Sequence, residues 1–281
     1  MSERRVVAVL GRGLVPADTP ILRADDLGAL RGDGIFETIR VWGGRPWLLA
    51  EHLARLARSA ARLELAVPPE ATLVDLVDQA CSAWPRDAEG VLRLVCTRGP
   101  EDGGEVTAYA TIAPVGEAIL RARAEGVRVL TATLGVPATA RPDAPWLLGG
   151  AKTVSYAVNM ACLRWAAARG ADDVLWTSTD GYALEAPTAT LVWLDGDVLR
   201  TVPPERTGVL AGTTARHLFD RAGEVGLRAD ERMIRPAELS TMDGVWLASS
   251  VRGLVEVRAI DGAELPARAQ TAALRKLLGF S

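Results

Sequence analysis

The chain contains only two lysines, and their surroundings in the sequence differ. Lys152 follows Gly149-Gly150-Ala151 among small and apolar residues, whereas Lys276 lies in the pattern ALRKLLGF, which is typical of a solvated helix face. A lysine in an apolar pocket loses part of its charge and can form a Schiff base with a carbonyl compound. The alternative is a lysine that extends into solvent from the end of a strand. The local sequence leaves both interpretations of Lys152 open.

A carboxylate and a helix start are the next candidates for chemistry. Glu185 lies in an apolar segment, where a buried carboxylate needs a partner, although an edge-strand glutamate facing water fits the same pattern. Gly212, Thr213 and Thr214 open a predicted helix, and the amides, hydroxyls and dipole at such a start favour an anion. Ordinary helix capping by threonine is the alternative. Ser250, after the apolar run VWLA, is a similar candidate.

Arginine is abundant, with 30 residues, so each arginine carries little information. Arg55 lies off the leucine stripe of a predicted helix. Arg93 lies inside an apolar strand, where Leu92, Leu94 and Val95 crowd it, and Arg98 lies at the end of that strand. A surface position is the alternative for all three arginines.

The composition excludes several classes of protein. A net charge of −3 gives no indication of a nucleic-acid or membrane-surface partner. Cys81, Cys96 and Cys162 are odd in number and far apart, which argues against a disulfide framework or a structural metal site. Apolar runs are too short for a secretion signal or for the roughly 18 residues of a membrane helix. We therefore expect a cytoplasmic protein without a metal.

Hydrophobic periodicity predicts an α+β chain of two domains. The predicted strands cover residues 5–10, 35–42, 91–97, 106–113 and 127–134, and the predicted helices cover 51–65, 70–84, 154–169 and 213–225. Residues 23–34 are predicted to form a loop. We expect a small α+β domain at 1–113, a linker at 114–122 and a larger domain at 123–281.

Four sequence blocks follow one another between residues 20 and 261. They are RGDGIFET at 31–38 with EHLARL at 51–56; TRG at 97–99; Lys152 with Asn159 and GADD at 170–173; and Asp180-Gly181 to Glu185 with GVLAGTT at 208–214. In this order they resemble the class IV pyridoxal-phosphate (PLP) aminotransferases. Within that family the pattern is most similar to the 4-amino-4-deoxychorismate lyases of actinobacterial type, which are related to D-amino acid transaminases.

The resemblance implies a fold and a set of cofactor contacts. The fold would be PLP fold type IV, with two α/β domains, the cofactor at their interface, and a homodimer. Lys152 would bind PLP as a Schiff base and move protons, and Glu185 would pair with the pyridine nitrogen. The phosphate would be held by Arg55, Gly212, Thr213, Thr214 and Ser250.

The resemblance also implies substrate contacts. Arg98 matches the arginine that binds a substrate carboxylate in the D-amino acid transaminase branch, and Arg93 is a second candidate for a carboxylate. Thr38 is a candidate proton donor to the leaving group. The chain departs from the family pattern at Ala186-Pro187-Thr188, where a Ser/Asn pair and an aromatic residue are usual, and at Arg216, which is displaced. These departures leave the substrate contacts and the fine geometry at the phosphate open.

Three functions follow from the resemblance. The first is a lyase that converts aminodeoxychorismate to 4-aminobenzoate and pyruvate for folate biosynthesis. The second is a transaminase acting on D-amino or branched-chain amino acids, possible also as a second activity of the lyase. The third is a non-catalytic PLP-binding protein, which the presence of both Lys152 and Glu185 disfavours.

Overall fold

The structure is a computed structural model that describes residues 5–266 and 270–280. The chain forms two compact units: unit 1 is Met1–Gly116 with Ala151–Tyr156, and unit 2 is Glu117–Gly150 with Ala157–Ser281. The predicted domain limits differ from these units mainly at Ala151–Tyr156, which pairs with a strand of unit 1. As domain limits they stay a prediction, and their outermost residues, 1–4 and 281, lie outside the described residues.

Unit 1 is built on one antiparallel sheet. Its strands are β1 (Val6–Val9), β2 (Gly13–Val15), β3 (Gly34–Trp42), β4 (Arg45–Pro46), β5 (Gly90–Thr97) and β6 (Thr107–Pro114), and its helices are α1 (Leu27–Arg31), α2 (Leu49–Arg62) and α3 (Glu70–Ser82). The spatial order of the strands is β2-β1-β6-β5-β3-β4. Helices α2 and α3 pack on the sheet and close an apolar core.

The two faces of β3 differ because successive side chains of a strand point to opposite faces. Ile35, Glu37 and Ile39 are fully buried, and Glu37 contacts α2. Phe36 and Thr38 are only half-buried and lie on the opposite face, the open face of β3. The open face carries the candidate chemistry described below.

Unit 2 is built on a mixed sheet. Its strands are β7 (Val127–Thr133), β8 (Asp173–Thr177), β9 (Thr190–Asp195), β10 (Val198–Thr201), β11 (Arg228–Glu231), β12 (Gly244–Ser249), β13 (Gly253–Ile260) and β14 (Ala263–Glu264). Its helices are α4 (Glu117–Glu125), α5 (Ala140–Asp143), α6 (Ala157–Ala167), α7 (Pro204–Thr207), α8 (Thr213–Asp220) and α9 (Gln270–Leu277), with 3-10 turns at Pro145–Leu147, Ala222–Val225 and Pro236–Thr241. The order is β11-β10-β9-β12-β13-β7-β8, with β14 on β13. The apolar run of β9 is buried along its whole length, as expected for a strand covered on both faces.

The structure confirms most predicted elements and corrects two of them. Residues 23–34 are not all loop, because α1 forms at Leu27–Arg31: the side chain of buried Asp26 accepts from Gly28 N at 2.8 Å and caps the helix. The helix predicted over 154–169 begins only at Ala157, because the preceding residues pair with β3. No helix among the described residues is both long and apolar enough to cross a membrane.

Candidate active site

The main chain at Lys152 adds a short strand-like segment to the edge of β3. Thr153 bridges Ile35 in antiparallel register, and Val154 N donates to Gly34 O at 2.9 Å. Phe36 N donates to Lys152 O at 3.1 Å, and Lys152 N donates to Ser59 Oγ at 3.0 Å. The main chain of Lys152 is therefore fixed by hydrogen bonds to β3 and α2.

The Lys152 amine lies between two aromatic rings. Its Nζ is 4.3 Å from the centroid of Phe36, 5.5 Å from that of Tyr156, and 3.4 Å from the Tyr156 hydroxyl. The two rings meet edge to face at 5.2 Å. The interpretation of Lys152 as a lysine extended into solvent is wrong, because the half-buried residue is packed on these rings. Sequence reasoning missed both aromatic partners, although Tyr156 follows the lysine by only four positions.

Arg93 lies on the open face in a row of cross-strand neighbours. Thr38 of β3, Arg93 of β5 and Thr111 of β6 are directly opposite one another in the sheet register. Arg93 is exposed, so the expectation that Leu92 and Leu94 crowd it was wrong: those two side chains point to the core face. Unit 1 therefore brings Lys152, Thr38 and Arg93 to one face.

Arg98 has other partners in this unit. Its guanidinium donates to both carboxylate oxygens of Asp33, at 2.6 and 3.1 Å, and to the carbonyls of Leu63 and Glu64 just after α2. These bonds tie the end of β5 to the end of α2. The predicted role of Arg98 at a substrate carboxylate stays a prediction, and it requires that some of these bonds be shared.

Arg55 lies on the other face of β3, in a buried ionic cluster. It donates to both carboxylate oxygens of Glu37, at 2.8 and 2.6 Å. Because a carboxylate only accepts, the Nδ1–H of buried His52 donates to Glu37 Oε2 at 2.7 Å. Two of the three members, Glu37 and His52, were not among the predicted site residues, although both lie in the blocks FET and EHLARL.

Burial and charge act in opposite directions on this cluster. Burial alone would raise the pKa of Glu37, but the charge and hydrogen bonds of Arg55, with the bond from His52, outweigh it and lower that pKa to about 2. Burial lowers the pKa of His52, and the nearby charges of Arg55 and Lys152 act in the same direction, against the opposite effect of Glu37. Glu37 is therefore ionised and His52 neutral at pH 7, and the carboxylate fixes the plane of the guanidinium.

In unit 2, Glu185 is mostly buried and not an edge residue facing water. Its Oε2 accepts from Leu210 N at 3.0 Å, and its Oε1 lies 3.5 Å from two nitrogens of Arg141. Its main chain is fixed against β8, because Glu185 O accepts from Trp176 N at 2.9 Å and the preceding Leu184 N donates to Trp176 O at 2.8 Å. Arg141 was not predicted as a site residue, since its partner is 44 positions away.

The start of α8 lies two residues beyond Leu210 and fits an anion. Within the described residues, Thr214 Oγ1 is buried without a hydrogen-bond partner. Gly212 is the N-cap and has no side chain to cap the helix, and a Cβ there would collide with Thr190 Oγ1. An unsatisfied buried hydroxyl costs free energy unless a ligand completes it. Gly212, Thr213 and Thr214 therefore fit the phosphate group that the sequence analysis assigned to them.

Two further segments of unit 2 contain residues discussed in the sequence: the turn at Ser250 and the turn after Glu185. Ser250 is buried in the turn between β12 and β13, where the guanidinium of Arg123 binds the next carbonyl, Val251 O. The unusual turn after Glu185 is held by the side chain of Asn159, which donates to Pro187 O at 2.7 Å, and by Arg252, which donates to Thr188 Oγ1 at 3.1 Å. The residues that depart from the family pattern, Ala186-Pro187-Thr188, thus form a turn that is held by two side-chain hydrogen bonds.

Comparison with known protein families shows which family this chain belongs to. A family model described as amino-transferase class IV matches residues 34–260, which is most of the chain. The chain belongs to the class IV aminotransferase family. The family is PLP-dependent, so the predicted family, fold class and cofactor are confirmed.

Individual relatives of this class IV chain agree. A bifunctional aminodeoxychorismate lyase / D-amino acid transaminase from Mycobacterium tuberculosis is 43% identical over 269 residues, 93% of each chain. A solved hypothetical aminotransferase from the same organism, in a PLP-bound form, is 40% identical with a TM-score of 0.94 and covers 98% of both chains. A fold IV transaminase from Curtobacterium pusillum is 36% identical with a TM-score of 0.91, covering 99% of this chain and 98% of that one.

Proposed function

We propose that this class IV chain is a PLP-dependent aminodeoxychorismate lyase that releases 4-aminobenzoate and pyruvate, and that it also has D-amino acid transaminase activity. The M. tuberculosis relative that carries both activities in its name supports the pair. The lyase product would feed folate biosynthesis.

Among the proposed cofactor contacts, the start of α8 has the clearest support, because Thr214 Oγ1 is buried there without a hydrogen-bond partner within the described residues. Bound PLP supplies an electron sink, which stabilises negative charge at the carbon bearing the substrate amine. We assign Lys152 to the cofactor carbonyl and Glu185 to the ring nitrogen. The phosphate contacts are assigned to Arg55, Gly212, Thr213, Thr214 and Ser250.

One observation carries the choice of substrate: the order of residues along the open face. Nζ of Lys152 lies over Phe36. Thr38, which is paired with Arg93, is two residues further along β3, a rise of about 7 Å along the strand. Lys152 acts on the carbon that bears the amine. A carboxylate on that same carbon, as in an α-amino acid, stays beside the lysine. A carboxylate across a six-membered ring, as in aminodeoxychorismate, extends toward Arg93.

The residues then divide the elimination between them. Lys152 removes the proton from the amine-bearing carbon, and the bond between the ring and the enolpyruvyl oxygen breaks. The Thr38 hydroxyl donates a proton toward the departing oxygen, and the enolpyruvate becomes pyruvate on protonation at carbon. The ring gains aromaticity, which supplies the driving force. Arg93 holds the ring carboxylate throughout.

Product analysis tests this proposal. The purified protein is loaded with PLP and incubated with aminodeoxychorismate, and 4-aminobenzoate and pyruvate are quantified in parallel. We expect the two products in equal amounts. Robust amino transfer with no 4-aminobenzoate would overturn the lyase assignment.

The transaminase activity is tested with a panel of D- and L-amino acids and an α-keto acid acceptor. We expect transfer from D-alanine in preference to branched-chain L-amino acids. Arg98→Met reports on the predicted carboxylate contact: a rise in KM for D-alanine alone supports it. An equal loss of stability and of both activities would instead assign Arg98 to its structural bonds with Asp33.

We also propose a cytoplasmic homodimer. The unpaired cysteines Cys81, Cys96 and Cys162 fit a reducing compartment. Large exposed apolar side chains, among them Trp146 and Val158, fit a protein partner such as a second copy. Light scattering of the purified protein should give twice the mass of the chain, 29.8 kDa. A monomer that is fully active would contradict the dimer.

A further inference from the structure

Helix α2 presents a buried polar stripe toward the sheet. His52, Arg55 and Ser59 follow one another at spacings of three and four residues and lie on one side of the helix. All three are buried, Ser59 to 1% exposure. His52 and Arg55 both bind Glu37, whereas Ser59 has a different partner: its Oγ accepts from the main-chain N–H of Lys152 at 3.0 Å.

The main chain of Lys152 is thus held from two elements. Its N–H is bound by Ser59 of α2, and its C=O is bound by Phe36 N of β3 at 3.1 Å. The same Phe36 supplies the ring over which the lysine amine lies, at 4.3 Å. A lysine side chain is a flexible four-carbon stem, so the position of its amine depends on where its backbone is fixed.

We propose that Ser59 is a positioning residue for the cofactor lysine. It holds the backbone of Lys152 against α2, so that Nζ stays on the Phe36 ring and within reach of the Tyr156 hydroxyl. This inference rests on the proposed role of Lys152 as the lysine that binds PLP. Ser59 itself contacts neither substrate nor cofactor in this role.

The consequence of losing the hydroxyl is specific. Ser59→Ala removes the acceptor of the Lys152 N–H, whereas the bonds of the segment Ala151–Tyr156 to β3 remain. A displaced amine reacts from a poorer geometry, and a misplacement of about 1 Å can cost on the order of a hundredfold in rate. We expect kcat of the lyase reaction to fall about ten- to hundredfold. KM should change less than about threefold, because Arg93 and its neighbours on the open face are untouched.

Three variants test the inference. Ser59→Ala removes the hydroxyl, Ser59→Thr keeps it, and Ser82→Ala is the matched control. Ser82 lies in the same unit, at the end of α3, where its hydroxyl donates to Gln79 O and has no contact with the lysine segment. Thermal unfolding of each variant establishes that it is folded.

The first readout needs no activity. Hydrogen–deuterium exchange of the apo-protein, followed in peptides that contain Lys152, reports the N–H bond directly. Exchange of this amide should be at least about tenfold faster in Ser59→Ala, and unchanged in Ser82→Ala. The second readout is the rate at which added PLP develops its visible absorbance band, which should slow in Ser59→Ala. The third is the split between kcat and KM.

The outcomes separate this inference from the proposed function. Faster exchange, slower cofactor binding and a reduced kcat in Ser59→Ala, with recovery in Ser59→Thr, support the inference. Unchanged exchange, or an unchanged kcat in a folded Ser59→Ala protein, overturns it, as does a folded Ser59→Thr protein that recovers nothing. If the wild-type protein forms no 4-aminobenzoate, the lyase assignment fails, and the exchange and cofactor-binding readouts still decide the role of Ser59.

Discussion

The two faces of β3 differ in how their charged residues are buried: charges are buried and paired on the core face, whereas Arg93 is exposed on the open face. On the core face, Glu37 is fully buried and its negative charge is neutralised by Arg55, with His52 completing the hydrogen bonds. On the open face, Phe36 and Thr38 are half-buried. The Lys152 amine lies over the Phe36 ring, and Arg93 is opposite Thr38 in the sheet register.

This difference separates stability from chemistry along a single strand. Buried charges are stable only when they are paired, so the core face tolerates few changes. On the open face, the exposed guanidinium of Arg93 can bind an incoming anion. Because side chains alternate along the strand, a residue that stabilises the core is followed by one that faces the candidate active site. The comparison predicts that core-face changes act on folding and open-face changes act on turnover.

The largest effect is expected on the open face, at the lysine. Lys152→Ala removes the proposed general base and nucleophile, and the lyase kcat should fall by at least about a thousandfold. The visible absorbance of the bound cofactor should disappear as well. Steady-state kinetics and absorbance spectra check this. Lys276→Ala removes the only other lysine and serves as the control. An active Lys152→Ala protein would favour a function without Schiff-base chemistry.

The next largest effect is expected on the core face. Glu37→Ala leaves the Arg55 guanidinium buried without its carboxylate and should lower the free energy of unfolding by about 3–5 kcal/mol. Thr38→Ala, one residue along on the open face, should change it by no more than about 0.5 kcal/mol. Urea denaturation of the two variants measures the difference. Equal losses in both would contradict the division of β3 into two faces.

Sequence patterns predicted the residues of rare type and the elements of clear periodicity. Lys152 is one of two lysines and stands in a motif, and β3 and α2 have clear periodicities, so these were found. The partners of the lysine were missed because they depend on tertiary contacts: Ser59 is 93 positions from Lys152. Periodicity fixes which face a residue occupies but not what lies opposite it in another element.

Arg93 and helix α1 also show that sequence patterns do not predict contacts between distant elements. Arg93 was expected to be crowded because its sequence neighbours are apolar, yet alternation sends those neighbours to the other face. Helix α1 was missed because its glycines and aspartates are typical of a loop, and its cap, Asp26, is stabilised by Thr97, 71 positions away. For the cofactor contacts in unit 2 the helix start was predicted, whereas the unpartnered Thr214 hydroxyl needed coordinates.

A smaller effect on turnover should come from Arg93. Arg93→Met removes the proposed charge-assisted contact to the ring carboxylate, and we expect a loss of about ten- to hundredfold in kcat/KM for aminodeoxychorismate. Amino transfer from D-alanine should change less than about threefold, because its carboxylate lies on the reacting carbon. The ratio of the two activities, measured on one preparation, checks this. A parallel loss of both activities would show that the row of Thr38, Arg93 and Thr111 does not select the ring carboxylate.

The smallest effect is expected from His52, and it appears as a dependence of stability on pH. Burial lowers the pKa of His52, although Glu37 opposes this from β3, while Arg55 on the same helix and Lys152 reinforce it. The unfolded chain therefore binds a proton near the usual pKa of about 6.5 while the folded chain does not. The stabilisation is complete above that pH and is lost as the pH falls below it.

The sign and window follow from this linkage. The slope from one such proton is at most about 1.4 kcal/mol per pH unit. Glu37 has the same sign but a pKa of about 2 in the fold, so its contribution changes only at much lower pH. His52→Gln keeps a donor for the Glu37 carboxylate and does not titrate. Urea denaturation between pH 7.5 and 5.5 should therefore give a flatter dependence for His52→Gln than for the wild-type protein. Identical slopes would mean that His52 binds its proton equally well in the folded and the unfolded chain, so that the core face of β3 does not lower its pKa.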